Sequence, residues 1–151
     1  MTVIVNGVEE LRARVGEHLG YTDWMVVTQE RVNTFADATD DHQWIHVDVE
    51  RAASGPFGAP IAHGFLTLSL LIPLWNDLLE LNGVDMKVNY GLNKVRFPAP
   101  VPVGSRVRLG ATVTELRDVP GGVEAVIDAV LECDAAAKPV CVAQAVHRYY
   151  A

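Results

Sequence analysis

Asp41 and His46 stand five positions apart in the stretch Asp41-His42-Gln43-Trp44-Ile45-His46, and Ile61-Ala62-His63-Gly64 follows at the head of an apolar run. A carboxylate and an imidazole at this spacing, in a stretch without helical composition, can converge on one small volume. A helix starting at Ile61 offers backbone N–H groups with no intrahelical partner. Together they make an acid/base pair facing an anion-stabilising site. That arrangement serves proton transfer next to a carbonyl.

Other chemistries are open to these residues. Asp41 can be a turn or cap carboxylate, and His46 or His63 a structural imidazole, His63 bonded to loop backbone. His42, His46, His63, Asp41 and Asp48 lie close enough in sequence to raise a metal site. The His42/His46 spacing suits two ligands on one helix, but no HExxH is present and the local composition is not helical, so no metal is expected. Ser69 reads as a core hydroxyl bonded to its own helix.

The totals narrow the class. With 151 residues, 50% of them hydrophobic, the chain is expected to form one globular domain over 1–151. A net charge of −7 argues against a nucleic-acid partner. No N-terminal stretch is basic and then apolar, and no run of about 18 apolar residues suggests a membrane span. Two cysteines, Cys133 and Cys141, are too few for a disulfide scaffold and fit reduced thiols in a cytoplasmic protein.

The elements that must position the pair follow from periodicity and caps. Val8 to Val15 reads as a short helix and Trp24 to Val27 as a strand. Thr28 caps a helix over Gln29 to Ala38, with Val32, Phe35 and Ala36 on one face. Thr39 to Trp44 reads as irregular, and Asp48 caps a brief helix through Ala53. Ser54 to Pro60 is a loop by its Gly and Pro content. Ile61 to Leu79 is apolar almost all round, which predicts a buried central helix, kinked or ended by Pro73. Strands are expected over 87–90, 93–97, 106–116, 123–133 and 139–149. Gly121-Gly122 and 135–138 read as turns. Even-numbered polar residues put Cys133 and Cys141 on core faces, opposite each other across a loop centred on Ala137. The sum is α+β: an antiparallel sheet wrapped around a long apolar helix. One chain leaves part of such a sheet and helix exposed, so a homodimer is expected.

The motif Asp41-x-Gln43-Trp44-Ile45-His46-x-Asp48, the Gly/Pro loop, Ile61-Ala62-His63-Gly64-Phe65 and Tyr90 to Phe97 with Pro98 to Gly104 resemble the MaoC-like dehydratases. The match is nearest to the short (R)-specific enoyl-CoA hydratases and runs along nearly the whole chain. The resemblance implies a hotdog fold, a dimer, and reversible syn hydration of trans-2-enoyl-CoA to the (R)-3-hydroxyacyl product. It puts the catalytic carboxylate on Asp41, the catalytic imidazole on His46 and the oxyanion donor on the N–H of Gly64. Gln43, Trp44 and His63 fall on the substrate side. No cofactor is implied beyond the coenzyme A of the substrate. Gln43 stands where the family commonly has Asn, Trp44 where it has Pro, and Asp40 where it has Gly or another uncharged residue. Lys94 and Arg96 alternate on one strand face and, with Arg106 and Arg108, are the basic candidates for the coenzyme A phosphates. Two rivals share the fold: a dehydratase acting on acyl carrier protein thioesters, and an acyl-CoA thioesterase.

Overall fold

The computed structural model describes residues 2–151. In chain order the elements are β1 (Val3–Asn6), α1 (Val8–Ala13), β2 (His18–Tyr21), β3 (Met25–Val26), α2 (Gln29–Thr39), α3 (Trp44–Val47) and α4 (Val49–Ala53). Next come α5 (Gly64–Ser69), α6 (Leu71–Leu78), β4 (Leu79–Asn82), β5 (Met86–Arg96), β6 (Arg106–Val119), β7 (Gly122–Cys133) and β8 (Cys141–Tyr150). The main sheet is antiparallel in the order β2-β6-β7-β8-β5, with β3 also on β6. A separate parallel pair, β1 and β4, lies beside it.

Caps fix the helices as their residue types require. Thr28 Oγ1 accepts the Arg31 N–H at 3.1 Å at the start of α2, and Asp48 Oδ1 accepts the Arg51 N–H at 3.1 Å at the start of α4. The stretch read as irregular up to Trp44 is followed by one helical turn, α3, which carries His46. Only a single turn forms, so no extended periodicity marked it.

The central helix is shorter than expected and interrupted. Ile61 and Ala62 are extended, because their N–H groups bond to the carbonyls of Ile45 and Val101. The helix therefore begins at Gly64. It breaks at Leu70, since Pro73 has no N–H for the carbonyl of Ser69 and its ring crowds that carbonyl. Ser69 Oγ donates to the carbonyl of Phe65 at 2.8 Å, a bond within its own helix.

The core lies between this helix and one face of the sheet. Leu71, Leu74, Trp75 and Leu78 of α6 are buried, and α6 packs on β6 and β2 while α5 packs on β8. Ala125, Ala129, Ala143 and Ala145 face them and are buried. These small residues let the helix lie close to the sheet. Arg106–Asp134, Arg108–Glu132 and the pairing of Arg117 and Arg148 with Glu124 lie on the other face. Two local readings are corrected. The β6–β7 turn is Pro120-Gly121, because Val119 pairs with Gly122, and Gly121 has φ 82°. Both cysteines are free and on the core face, but Cys141 opposes Leu131 and not Cys133, because the intervening loop centres one residue earlier than Ala137.

His147 on β8 is buried with the core, and desolvation lowers its pKa to about 4. The unfolded chain, with an ordinary imidazole near 6.5, binds a proton in this window that the folded chain refuses. Stability is complete above about pH 6.5 and falls as the pH drops towards 4. Urea unfolding should show wild type losing roughly 2 kcal/mol more than His147→Gln between pH 7 and pH 5. Equal losses would show that His147 takes up its proton in the folded state.

Candidate active site

The C-terminus of α2, the turn α3 and the first residues of α5 meet at one end of the central helix. Asp40 ends α2 with φ 60° and ψ 25°, the left-handed region that favours glycine. This sharp exit brings the backbone carbonyl of Asp41 to His63, whose Nε2–H donates to it at 2.9 Å. His63 is 2% exposed. Its ring stacks on His46, centroids 3.9 Å apart, and contacts Phe35 at 4.9 Å.

His46 is 6% exposed. Its Nδ1–H donates to the carbonyl of Ile61 at 2.6 Å. Gln29 Nε2 donates to the backbone carbonyl of His46 at 2.8 Å and so steadies α3. Gln29 and Phe35 left no local sign in the sequence, because their partners lie on other segments.

These bonds set both tautomers. With Nδ1 protonated, His46 presents the lone pair of Nε2. With Nε2 protonated, His63 presents that of Nδ1, which is buried and has no hydrogen-bond partner among the described residues. A carboxylate oxygen of Asp41 and a ring nitrogen of each imidazole lie within 4.8 Å of one another. Desolvation lowers the pKa of His46; the Ile61 bond opposes this, the charge of His63 adds to it, and Asp41 opposes it. The stacked rings are 24° apart. Three acceptors around a small space suit a water molecule, which can donate two protons and keep a lone pair free.

Gly64 follows immediately. His63 is the N-cap of α5, so the Gly64 N–H is the first of the helix and has no carbonyl behind it. Gly64, Thr67, Phe97 and Val101 line a cavity of about 260 Å³. A Cβ at Gly64 would come within 3.1 Å of the Phe97 ring. A side chain there would have to displace the Phe97 ring by a few tenths of an ångström.

The other sequence candidates are placed as follows. Gln43 is exposed and precedes α3. Trp44 turns to Arg51, whose guanidinium sits 4.2 Å over its ring, and to Gly55, where a Cβ would meet the indole at 2.8 Å. His42 pairs with Asp37 at 2.9 Å, and Asp48 is spent on the α4 cap. Lys94 and Arg96 oppose Gln144 and Val142, on the sheet face away from the helix. Arg106 and Arg108 lie on β6, across the sheet from β5, and are paired with Asp134 and Glu132. The four cations therefore do not form one cluster.

A family model described as the MaoC like domain matches residues 10–132. The chain belongs to the MaoC-like family. Within it, the chain is 55% identical over 145 residues to 3-hydroxyacyl-thioester dehydratase Z of Mycobacterium tuberculosis, covering 95% of this chain and 96% of that one. Among solved structures it is similar to the monoamine oxidase regulatory protein of Archaeoglobus, with TM-score 0.77, 25% identity and coverage of 99% and 97% of the two chains. It is also similar to the (R)-hydratase from A. caviae involved in PHA biosynthesis, with TM-score 0.72, 26% identity and coverage of 88% and 94%. The sheet around a helix is accordingly the hotdog fold of the MaoC-like enzymes.

The left-handed turn at Asp40 yields a stability prediction. Asp40→Gly should raise the unfolding free energy by about 0.5–1 kcal/mol, read by urea denaturation. Glycine adopts φ 60° without the Cβ clash. Destabilisation by the same amount would show that the aspartate side chain holds the turn.

Proposed function

We propose that this enzyme catalyses the reversible syn addition of water to trans-2-enoyl-CoA, giving (R)-3-hydroxyacyl-CoA. The carrying observation is the acceptor set of Asp41, His46 and His63 beside the free N–H of Gly64. The 55% identity to a 3-hydroxyacyl-thioester dehydratase and the likeness to an (R)-hydratase support it.

A water held by Asp41 and the lone pair of His46 Nε2 attacks C3 of the enoyl group. The C2=C3 electron pair moves toward the thioester, whose oxygen gains charge and is met by the Gly64 N–H. The Asp41–His46 pair takes one proton from the water and returns one to C2 on the same face. The water is thereby divided into a hydroxyl on C3 and a hydrogen on C2. The two groups titrate as a unit. His63 fixes the backbone of Asp41 through its Nε2–H. Gln43, exposed beside the pair, contacts the thioester arm, and Trp44 supports the substrate side through its packing on Gly55. Lys94 and Arg96 lie on the strand that leads to Phe97 and take the coenzyme A phosphates. The reaction needs no cofactor beyond the coenzyme A carried by the substrate.

The reading includes a homodimer in a cytoplasmic setting. The β5 strand is a long edge, bonded only to β8 among the described residues. It exposes Met86, Tyr90 and Leu92, and Phe65 beyond it is 70% exposed. An open apolar edge of this kind is covered in a stable protein, and a second copy of β5 covers both edges at once. No helix among the described residues is long and apolar enough to cross a membrane.

Four measurements test this. Crotonyl-CoA should lose its enoyl absorbance on adding enzyme, and chiral analysis should give the (R) product; the (S) isomer or free coenzyme A would overturn the reading. Asp41→Asn and His46→Gln should each lower kcat by roughly 10²–10⁴-fold. Because burial lowers the His46 pKa, its neutral form persists in acid, so the His46 limb of kcat/KM against pH should fall below the ordinary 6.5. A limb above that value would mean that His46 works as the cation. Light scattering at micromolar concentration should give twice 16.4 kDa, whereas a monomer would remove the dimer from the reading.

A further inference from the structure

A second polar set lies deeper along the central helix, unused by the proposed chemistry. Trp75 Nε1–H donates to Tyr149 Oη at 3.1 Å. Tyr149 Oη lies 3.4 Å from His147 Nδ1. All three side chains are buried. Trp75 only donates, so Tyr149 Oη accepts its N–H. The hydroxyl's own hydrogen is buried and has no acceptor other than His147 Nδ1 among the described residues, so Tyr149 donates to that nitrogen, which is then unprotonated. A neutral His147 then carries its hydrogen on Nε2, which has no hydrogen-bond partner among the described residues.

His147 borders two adjoining cavities, of about 310 Å³ and 170 Å³. They share Ile72, Asn89 and His147 in their walls. Leu68, Leu71 and Leu92 give the larger one apolar walls, with Ser69 beside them. Asn89 pairs directly across from His147 on the same sheet face, and Asn76 borders the smaller cavity. The cavity at Gly64 and the larger cavity at His147 take neighbouring residues of α5 into their walls, Thr67 in one and Leu68 in the other. Ile72 stands eight positions after Gly64, at most about 12 Å away along α5 and α6 at 1.5 Å per residue, a span that a medium-length acyl chain matches.

We infer that this pocket selects enoyl chains bearing an uncharged oxygen, a hydroxyl or a ketone, near the far end, with His147 Nε2–H as donor and Asn89 beside it. The inference rests on the hydratase reading above and names the substrate class of that site. An unbranched alkyl tail leaves the His147 N–H dry and unpaired, whereas a tail oxygen satisfies it. His147 stays neutral at working pH because burial lowers its pKa to about 4, so it favours an oxygen acceptor without demanding a carboxylate.

The test compares trans-2-decenoyl-CoA with its 9-oxo and 9-hydroxy derivatives on the full chain. Wild type should show kcat/KM roughly three- to tenfold higher for the oxygenated tails. His147→Leu should bring that ratio to about one, His147→Gln, which keeps a donor, should retain it, and Tyr149→Phe should lower it. Binding of decanoyl-CoA and 9-oxodecanoyl-CoA to wild type, by calorimetry, should show the same preference and needs no variant to fold. A wild-type ratio of one, or a ratio untouched by His147→Leu, overturns the inference. Preference for a carboxylate-ended tail overturns it too and points to Lys87, which borders the smaller cavity. Crotonyl-CoA separates the two readings. If it is hydrated and the tail oxygen brings no gain, only the pocket assignment fails. If no thioester is hydrated, the hydratase reading fails, and the calorimetric ratio still decides the pocket.

Discussion

The site depends on one hydrogen bond, from His63 Nε2 to the backbone carbonyl of Asp41. His63 is the N-cap residue of the central helix, and Asp41 lies on the segment that leaves α2. The bond ties that segment to the helix start. Without it the carbonyl and the imidazole lose their pairing in a buried place, which costs about 1–3 kcal/mol. More than stability is at stake. The bond chooses the tautomer of His63, places its ring against His46, and sets the carboxylate of Asp41 beside both. The nearby contacts Ile61 N–H to Ile45 carbonyl and His46 Nδ1–H to Ile61 carbonyl run between the same two segments. They complete a clamp whose members are polar groups satisfied by backbone.

Much of this was legible in the chain. Thr28 and Asp48 cap the helices they were expected to cap, because a short polar side chain before a helical run has one dominant use. The strands β6, β7 and β8 were visible through alternation, since one of their faces is buried and the other carries ion pairs. The β5 strand was read as two pieces because its register shifts around Gly91 and Asn93; bulges break the period of two that the reading relies on. β1, β2 and β4 are four residues each, too short for a pattern. The start of the central helix was placed three residues early because apolar character does not tell a buried extended segment from a buried helix. What decided it was the pairing of Ile61 and Ala62 with distant carbonyls.

The pair Asp41 and His46 was found by type and spacing, but the geometry behind it was not. Spacing suggested two groups in an irregular stretch; the chain instead puts His46 on a helical turn and Asp41 in the extended link before it. Trp44 illustrates the same gap. It stands where the resemblance would put proline, and its ring packs against Arg51 and Gly55. Gly55 can be read as the complement of Trp44, since any Cβ there would strike the indole. A substitution at one position is thus answered by a small residue at another, which is invisible until both are placed.

Three buried imidazoles show how one residue type is given opposite tasks. His46 and His63 each spend their N–H on a backbone carbonyl, so both present lone pairs at the end where a water must be held. His147 meets a buried tyrosine hydroxyl that accepts from Trp75 and has no other acceptor for its own hydrogen among the described residues, so His147 spends its lone pair and keeps its N–H. A carbonyl can only accept, and an indole N–H can only donate; each neighbour therefore dictates the imidazole's free side. Burial keeps the charged form of His46 and His147 unfavourable, which preserves the assignment over the pH range in which an exposed histidine would titrate. The same helix thus runs from an acceptor-lined end to a donor-lined end, with an apolar stretch of Leu68, Leu71 and Ile72 between them.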